Sequence, residues 1–290
     1  MQGLVITNGY FSNESTINQV ERLTEEFNKL GVLLTKKKGN EVITYIENGV
    51  VKSNIGKVDF VIFLDKNIHV AKMLEKAGYR VFNSANAIEL CDDKMITYIF
   101  LANKNIAMPK TLPSPIMYKS TDDDKFILEV EKELSYPIVV KNVYGSMGRE
   151  VYLAKNKKEL KDLFDKLKLY PHLYQEYIGD GLGKDIRVIV VGGKVISSMQ
   201  RENENDFRSN IGLGGKGKLI SLSKEQESLA LNAVKALGLD YAGVDIISKN
   251  QKDYICEVNS NAFFKEIEDI SGKNVAGAYA KHVFNAVYNK

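Results

Sequence analysis

Residues 241–261, YAGVDIISKNQKDYICEVNSN, say more about chemistry than any other stretch of this chain. Their composition predicts two strands, Tyr241 to Ile247 and Asp253 to Asn259, joined by a polar turn at Lys249, Asn250, Gln251 and Lys252. Closed as a hairpin, the strands set Asp245 opposite Glu257. Asn259, two residues further on, projects from the same strand face as Glu257. Three oxygen-bearing side chains on an otherwise apolar sheet form a ligand set for a hard cation such as Mg²⁺, with phosphates and waters completing the octahedron. The flanking Val244, Ile246, Ile255 and Val258 should be buried, which separates this hairpin from an exposed strand carrying ordinary acids.

Cationic groups recur elsewhere at strand ends. VVKNVYGSMGREVYL, from Val139, ends an apolar strand with Lys141 and continues into a turn bearing Gly145 and Gly148. Such a β-turn-β loop can fold its N–H groups over phosphates while the lysine neutralises them. Val139, Val140 and Val143 make the lysine's surroundings apolar, so it should need a charged partner. YQEYIGDGLGKDIRV, from Tyr174, offers a strand edge whose N–H and C=O groups suit a purine. Glu176 and Asp185 stand ready there for ribose hydroxyls or the exocyclic amine, unless the segment is a plain surface connector. QRENENDFRSNIGLGGKGK brings Arg201 and Arg208 close to Asn210 and a glycine run. Guanidinium groups on such a loop suit bidentate carboxylate or phosphoryl recognition. Phe207 and Ile211 give the loop something to dock with, unlike a purely solvated charged segment.

The elements that must position these groups read as follows. Gly3 to Ile6 is a short strand, and Asn13 or Ser15 caps a helix carrying Ile17, Val20, Leu23, Phe27 and Leu30. Val58 to Leu64 reads as a strand buried on both faces. A helix from Ile68 to Lys76 ends at Gly78, and Arg80 to Phe82 is another strand. This β-α-β-α-β order indicates an open α/β unit with a parallel core. Ser84 and Asp92 read as N-caps of two successive helices, and Pro109, Pro113 and Pro115 mark a hinge-like connection. Beyond it come a helix from about Lys125, strands Ile138 to Asn142 and Val151 to Ala154, a helix Lys157 to Lys168 and a strand Leu173 to Tyr177. Strands Ile186 to Val191 and Lys194 to Met199 flank the turn Gly192-Gly193. A long polar loop, Glu202 to Lys218, has the length of a functional lid. A helix Ser223 to Leu237 precedes the acidic hairpin, and a helix from Asn274 to about Tyr288 closes the chain.

Composition narrows the class. A chain of 290 residues with 44% hydrophobic content supports two or three lobes with real cores. Forty basic against 37 acidic residues leave +3, too balanced for a general nucleic-acid binder. Basic runs such as Lys36 to Lys38 read as solvated faces. No apolar stretch approaches the ~18–20 residues of a membrane span, and no signal-peptide pattern is present, so a cytoplasmic protein without a membrane partner is expected. Cys91 and Cys256 read as buried free thiols. His69, His172 and His282 form no ligand spacing with them, which argues against zinc. No G-x-G-x-x-G follows the first strand, which disfavours a dinucleotide-binding dehydrogenase.

Taken in order, DDK at Asp92, VVKNVYGSMG, YQEYI, KDIRVIVVGGKVI, DFRSN, GLGG, YAGVDII and CEVNSN resemble the ATP-grasp ligases of the RimK-like type. The similarity runs from about Asp92 to the C-terminus, and the preceding residues suit the α/β domain found before this module. The resemblance implies an α/β chain, α+β in its C-terminal part. A small N-terminal open parallel domain (1–91) would precede a two-lobed ATP-grasp module, with a central lobe and hinge (92–180) and a C-terminal lobe holding the metal site (181–290). It implies ATP and Mg²⁺ (or Mn²⁺), with Lys94 and Lys141 on the phosphates and Glu176, Tyr177 and Asp185 around the adenosine. Arg208, Ser209 and Asn210 would face the reacting phosphoryl and carboxylate groups, with Arg208, Asn210 and Lys141 catalytic. Asp245, Glu257 and Asn259 would hold the metal, and Arg187 and Arg201 are lesser candidates for substrate.

The implied activity is ATP-dependent amide formation through an acyl phosphate. Its substrates would be small molecules or peptides bearing a carboxylate and an amine, and a homo-oligomer is admitted. The alternative on the same fold is a nucleotide-binding regulatory protein or a small-molecule kinase. Two departures stand out. Ser260, Asn261, Ala262, Phe263 and Phe264 replace the usual small residue, proline and glycine after EVN, and Glu150 stands where a third glycine is common.

Overall fold

Phe60 to Leu64 are buried at every position, the pattern of a strand covered by helices on both faces. In the computed structural model this strand is central to a parallel sheet. The structure describes residues 1–289 except 121–124, 146–147, 180–182, 211 and 213. Parts of the glycine turn after Lys141, of the loop GDGLGKD and of the polar loop around Ile211 therefore lie outside the described residues.

The chain opens with β1 (Gln2–Thr7), α1 (Glu14–Lys29), β2 (Leu33–Lys38), β3 (Thr44–Glu47), β4 (Val50–Ser53), β5 (Phe60–Leu64), α2 (Ile68–Lys76), β6 (Val81–Phe82), α3 (Ala85–Asp92) and α4 (Lys94–Leu101). The sheet order is β2-β1-β5-β6 with all pairs parallel. β2 and the β3–β4 hairpin are absent from the sequence reading. β2 contains Lys36 to Lys38 and pairs on one side only, so charged residues are tolerated on that exposed edge. Asn13 and Ser84 cap α1 and α3 as expected. The next cap is Asp93 rather than Asp92. Asp92 is still helical, whereas Asp93 has the extended backbone that lets its carboxylate accept from the Met95 and Ile96 N–H groups.

β7 (Thr111–Pro113), α5 (Lys125–Glu133), β8 (Ile138–Asn142), β9 (Val151–Ala154), α6 (Lys157–Leu167) and β10 (His172–Glu176) follow. Their strands form an antiparallel sheet in the order β7-β10-β8-β9. The proline-bearing segment is thus more than a connection. Thr111 to Pro113 is an edge strand, the position where a residue without an N–H costs no ladder bond.

The last part comprises β11 (Lys184–Val191), β12 (Lys194–Glu202), β13 (Lys216–Leu219), α7 (Lys224–Leu237), β14 (Tyr241–Lys249), β15 (Lys252–Asn259), α8 (Lys265–Ser271) and α9 (Val275–Tyr288). The antiparallel order is β13-β12-β11-β14-β15. β13 and α8 were not legible, and β13 shortens the polar loop to residues 203–215. Gly192 and Gly193 both have positive φ, as the tight turn between β11 and β12 requires.

Three cores hold the site in place. Phe27, Phe60 and Ile62 pack with Ile189, Val191, Tyr241 and Tyr279, tying the parallel sheet to the last one. Val244, Ile246, Ile255 and Val258 bury the back of the acidic hairpin against Ala233, Val234 and Leu237 of α7. Ile138, Val140, Phe164 and Tyr174 form the core of the β7–β10 sheet. Among the described residues no helix is long and apolar enough to cross a membrane.

Candidate active site

The hairpin forms with Asp245 paired to Glu257, and Asn250 and Gln251 both take positive φ in its turn. The register shifts between Asp245 and Ile246, which pair with Glu257 and Ile255, leaving Cys256 as an extra residue. A bulge of this kind re-aims side chains. Ile255 and Val258 both reach the core, while Cys256 and Glu257 both line a cavity of about 330 Å³. Cys256 is therefore a free thiol as expected, yet it faces the cavity rather than the core.

That cavity lies between the β7–β10 sheet and the β11–β15 sheet. Lys94, Lys141 and Arg208 reach it from α4, β8 and the 203–215 loop. Glu176 and Tyr177 line it where the chain leaves β10, and Asp185, Arg201, Ser209, Asn210 and Asp245 also contribute. Of the residues singled out from sequence, Arg187 and Asn259 do not line it.

Lys94 occupies the first helical position after the Asp93 cap and is buried. Its Nζ donates to the Gly145 carbonyl and lies 3.2 Å from Glu257 Oε1. It therefore joins the glycine turn to the acidic hairpin. Burial opposes ionisation of Glu257, but Lys94, Lys141 and Arg187 together outweigh it and hold the carboxyl below its ordinary range.

Lys141 is buried as well, and the expected charged partner is missing. Its Nζ donates to Gln175 Oε1 at 2.7 Å and lies 3.8 Å from Cys256 Sγ, with no carboxylate in ion-pair range among the described residues. Burial works against this ammonium, while Cys256 and Tyr98, once ionised, and Glu257 favour it, and the balance lies above the usual lysine value. Burial pushes the Tyr98 phenol up to about 12 and raises the Cys256 thiol, so both are neutral at neutral pH. A buried cation with only neutral direct partners is a seat for an anion. Gln175 as the partner of Lys141, and Cys256 as a residue of the cavity, went unrecognised in sequence. The signal for Gln175 was its place in a strand whose neighbour, Tyr174, is fully buried.

The arginines are engaged differently from expectation. Arg201 forms a two-pronged pair with Asp185, and its Nη2 lies 3.1 Å from Asp245 Oδ1. Arg187 grips both oxygens of Asp245. Asp185 is thus occupied by Arg201 rather than open to a ribose, and both arginines are neutralised by aspartates rather than turned to a substrate carboxylate. Neighbouring strands place the four groups side by side, with Arg187 opposite Asp245 and Asp185 opposite Arg201. Burial opposes ionisation of Asp245, and the two arginines overcome it and hold its carboxyl below the ordinary range. Arg208 pairs with both oxygens of Asp206 and donates to the Gly148 carbonyl at 2.7 Å, pinning the polar loop to the glycine turn.

The donor set suits a hard cation. Glu257 presents an ionised carboxylate to the cavity, and Asp245 adds a second whose oxygens are shared with Arg187 and Arg201; Asn259 can offer only its side-chain oxygen, from outside the cavity wall. Among the described residues no three His, Cys, Asp or Glu side chains cluster into a full metal shell. A cation held here draws further oxygens from elsewhere, as phosphates provide.

Asp245→Asn should destabilise the protein by about 3–5 kcal/mol, because it strips a buried carboxylate from two arginines. The same group makes stability depend on pH. Asp245 and Glu257 titrate below their ordinary values of 3.8 and 4.5 when folded. Their contribution is therefore present above those values and lost as pH falls through the depressed folded ones. Denaturant unfolding from neutral pH into acid should show a steep loss below about pH 4 that Asp245→Asn flattens.

The model of the RimK-like ATP-grasp domain matches residues 91–283, and the chain belongs to this family. It is 36% identical over 224 residues to the β-citrylglutamate synthase B of Danio rerio, covering 76% of this chain and 54% of that protein. It is 33% identical over 229 residues to the human N-acetylaspartylglutamate synthase A, covering 78% and 58%. The chain thus spans a little over half the length of these relatives. A probable α-L-glutamate ligase of Coxiella burnetii is 36% identical over 212 residues, covering 72% and 68%. The D-alanine–D-alanine ligase of Bacillus anthracis shares the fold with a TM-score of 0.74 at 18% identity, over 100% of this chain and 98% of that one. The ATP-grasp ligase PsnB, solved with Mg and ADP, has a TM-score of 0.70 at 18% identity over 99% and 98%.

Proposed function

We propose that this chain is an ATP-dependent carboxylate–amine ligase, joining a carboxylate of an amino acid or small polyacid to the amino group of an amino acid or peptide. The observation that carries the reading is the convergence of Lys94, Lys141 and Arg208, from three separate elements, on one cavity walled by Glu257 and Asp245. The relatives' names support it, since they are synthases and ligases of glutamate conjugates. In this reading residues 1–91 form the N-terminal α/β domain, 92–180 the central lobe and 181–290 the C-terminal lobe. The cytoplasm is the proposed compartment, supported by two free thiols.

A substrate carboxylate oxygen attacks the terminal phosphorus of ATP, and the bond to the bridging oxygen of ADP breaks. The amine then attacks the acyl carbon, loses a proton, and expels phosphate to leave an amide. Lys141 and Lys94 hold phosphate oxygens and stabilise charge on transfer, and Arg208 does so from the loop. A bound divalent cation, Mg²⁺ or Mn²⁺, would neutralise phosphate charge beside Asp245, Glu257 and Asn259. Around the adenosine, Tyr177 and the main chain following Glu176 line the cavity, and Glu176 Oε1 accepts from the Lys110 N–H at 2.8 Å.

The test is ADP release across pairs of acids and amino acids, with mass spectrometry of the products. ADP formation should require ATP, a divalent cation, an acid and an amine together, and yield an amide. A phosphorylated acid accumulating as the stable end product with amine present would refute the ligase reading in favour of a kinase.

A further inference from the structure

The cavity assembles cations for phosphate and carboxylate groups, but Lys94 and Lys141 would repel a protonated amine approaching from their side. The parallel sheet offers the complementary chemistry. In the order β2-β1-β5-β6 the chain leaves β1 to build β2 on one side, then returns to build β5 on the other. Loops from the carboxyl ends of β1 and β5 therefore diverge, and open α/β sheets bind ligands in the crevice at such a switch point.

Asn8 follows β1 and Asp65 follows β5 at this place. Asn8 Nδ2 donates to Asp65 Oδ1 at 3.0 Å, and the Lys66 N–H donates to the same oxygen at 2.7 Å. Asp65 Oδ2 accepts no hydrogen bond among the described residues, and no described cation pairs with this carboxylate. The adjacent Lys66 is turned away to Asp92, with Nζ 2.9 Å from Oδ1. The loop after β2 passes close by, and a Cβ at Gly39 would lie 3.1 Å from Asp65 Oδ2 and 3.4 Å from the Thr7 carbonyl. A half-buried carboxylate with one uncommitted oxygen accepts N–H donors and rejects anions.

The same edge of the sheet abuts the reaction hairpin. Asn83, after β6, donates to the carbonyls of Ser260 and Tyr241 at 2.7 and 2.9 Å. Gln19 of α1 donates to the Ala262 carbonyl at 3.2 Å. The contacts to Ser260 and Ala262 fall on the segment directly after Asn259, and the one to Tyr241 on the start of β14. The Lys66–Asp92 pair also brings the end of β5 next to the Asp93 cap of the helix that carries Lys94.

We propose that the crevice between the carboxyl ends of β1 and β5 is the amine-substrate site, where Asp65 takes the primary ammonium group of an amino acid or a peptide N-terminus. This rests on the ligase reading and adds the residue and ligand class for its second substrate.

The test compares amines in the intact chain. Asp65→Asn keeps the shape and the Asn8 contact but removes the charge. With the amino-acid amine, kcat/KM should fall by about tenfold to a hundredfold, the worth of a hydrogen bond to a charged group. With hydroxylamine, which is uncharged at neutral pH, ATP-dependent hydroxamate formation should be unchanged, and Asp65→Glu should restore part of the amino-acid rate. Equal loss with both nucleophiles would overturn the proposal by assigning Asp65 to the fold or to acid activation. Unchanged rates with both would overturn it as well. Failure of the unaltered chain to make hydroxamate with any acid would sink the ligase reading, and this site with it.

Discussion

Glu257→Gln should abolish ADP formation, by about a hundredfold or more, while the protein stays folded. Glu257 stands opposite Asp245 at the bulge and lines the cavity. An amide keeps its shape but supplies no charge to a cation, and loss of one group that stabilises transferring charge costs about 10²–10³-fold. The structural cost is smaller. Lys94 loses its anionic partner but keeps the Gly145 carbonyl, so about 1–3 kcal/mol of stability is at stake. ADP release and thermal unfolding, measured on the same preparation across Mg²⁺ concentrations, separate the two effects. Near-normal turnover in a folded variant would remove Glu257 from the proposed cation site. Asp245→Asn should contrast with it by losing stability as well, since two arginines depend on Asp245.

Hydroxylamine should intercept the activated acid and give a hydroxamate in a reaction that needs ATP, a divalent cation and the correct acid. Lys141→Ala and Arg208→Ala should each lower this yield by about 10²–10³-fold, because each removes a cation that the proposed mechanism sets against the transferring phosphoryl group. Their structural settings differ usefully. Lys141 is buried against Gln175 and Cys256, so its loss also empties a packed position. Arg208 is about a quarter exposed on the polar loop and binds Asp206 and Gly148, so its variant should unfold close to the temperature of the parent protein. A large loss in both, with Arg208→Ala thermally unchanged, ties the effect to chemistry. Acid-stimulated ADP release without any hydroxamate would count against an acyl phosphate.

Much of this site was legible because it is local. Alternation of apolar residues announced β14 and β15 and roughly faced Asp245 with Glu257, but a register carried straight from Lys249 opposite Lys252 would set Asp245 against Cys256, and the one-residue bulge supplies the pairing with Glu257. Caps were similarly readable, since Asn13 and Ser84 need only their own next turn. The shift from Asp92 to Asp93 shows the limit. Two adjacent aspartates have the same capping chemistry, and only the backbone direction between α3 and α4 chooses one. β2 and β13 were missed because both are edge strands rich in lysine, stabilised by a neighbour rather than by their own pattern.

The sequence by itself determined the parallel β-α-β frame, the acidic hairpin, and which segments carry cations, because strand and helix periodicity depends on near neighbours. Only tertiary structure decided how the charges are shared. Arg187 and Arg201 looked available for a substrate, and their pairing with Asp245 and Asp185 exists because β11 lies between β12 and β14. Lys141 was expected to find a carboxylate and instead meets Gln175 and Cys256, the latter placed there by one bulged residue. Composition sets which charges a chain owns. The energy of a buried charge depends on partners within a few ångströms, and those distances arise only when remote strands pair and pack.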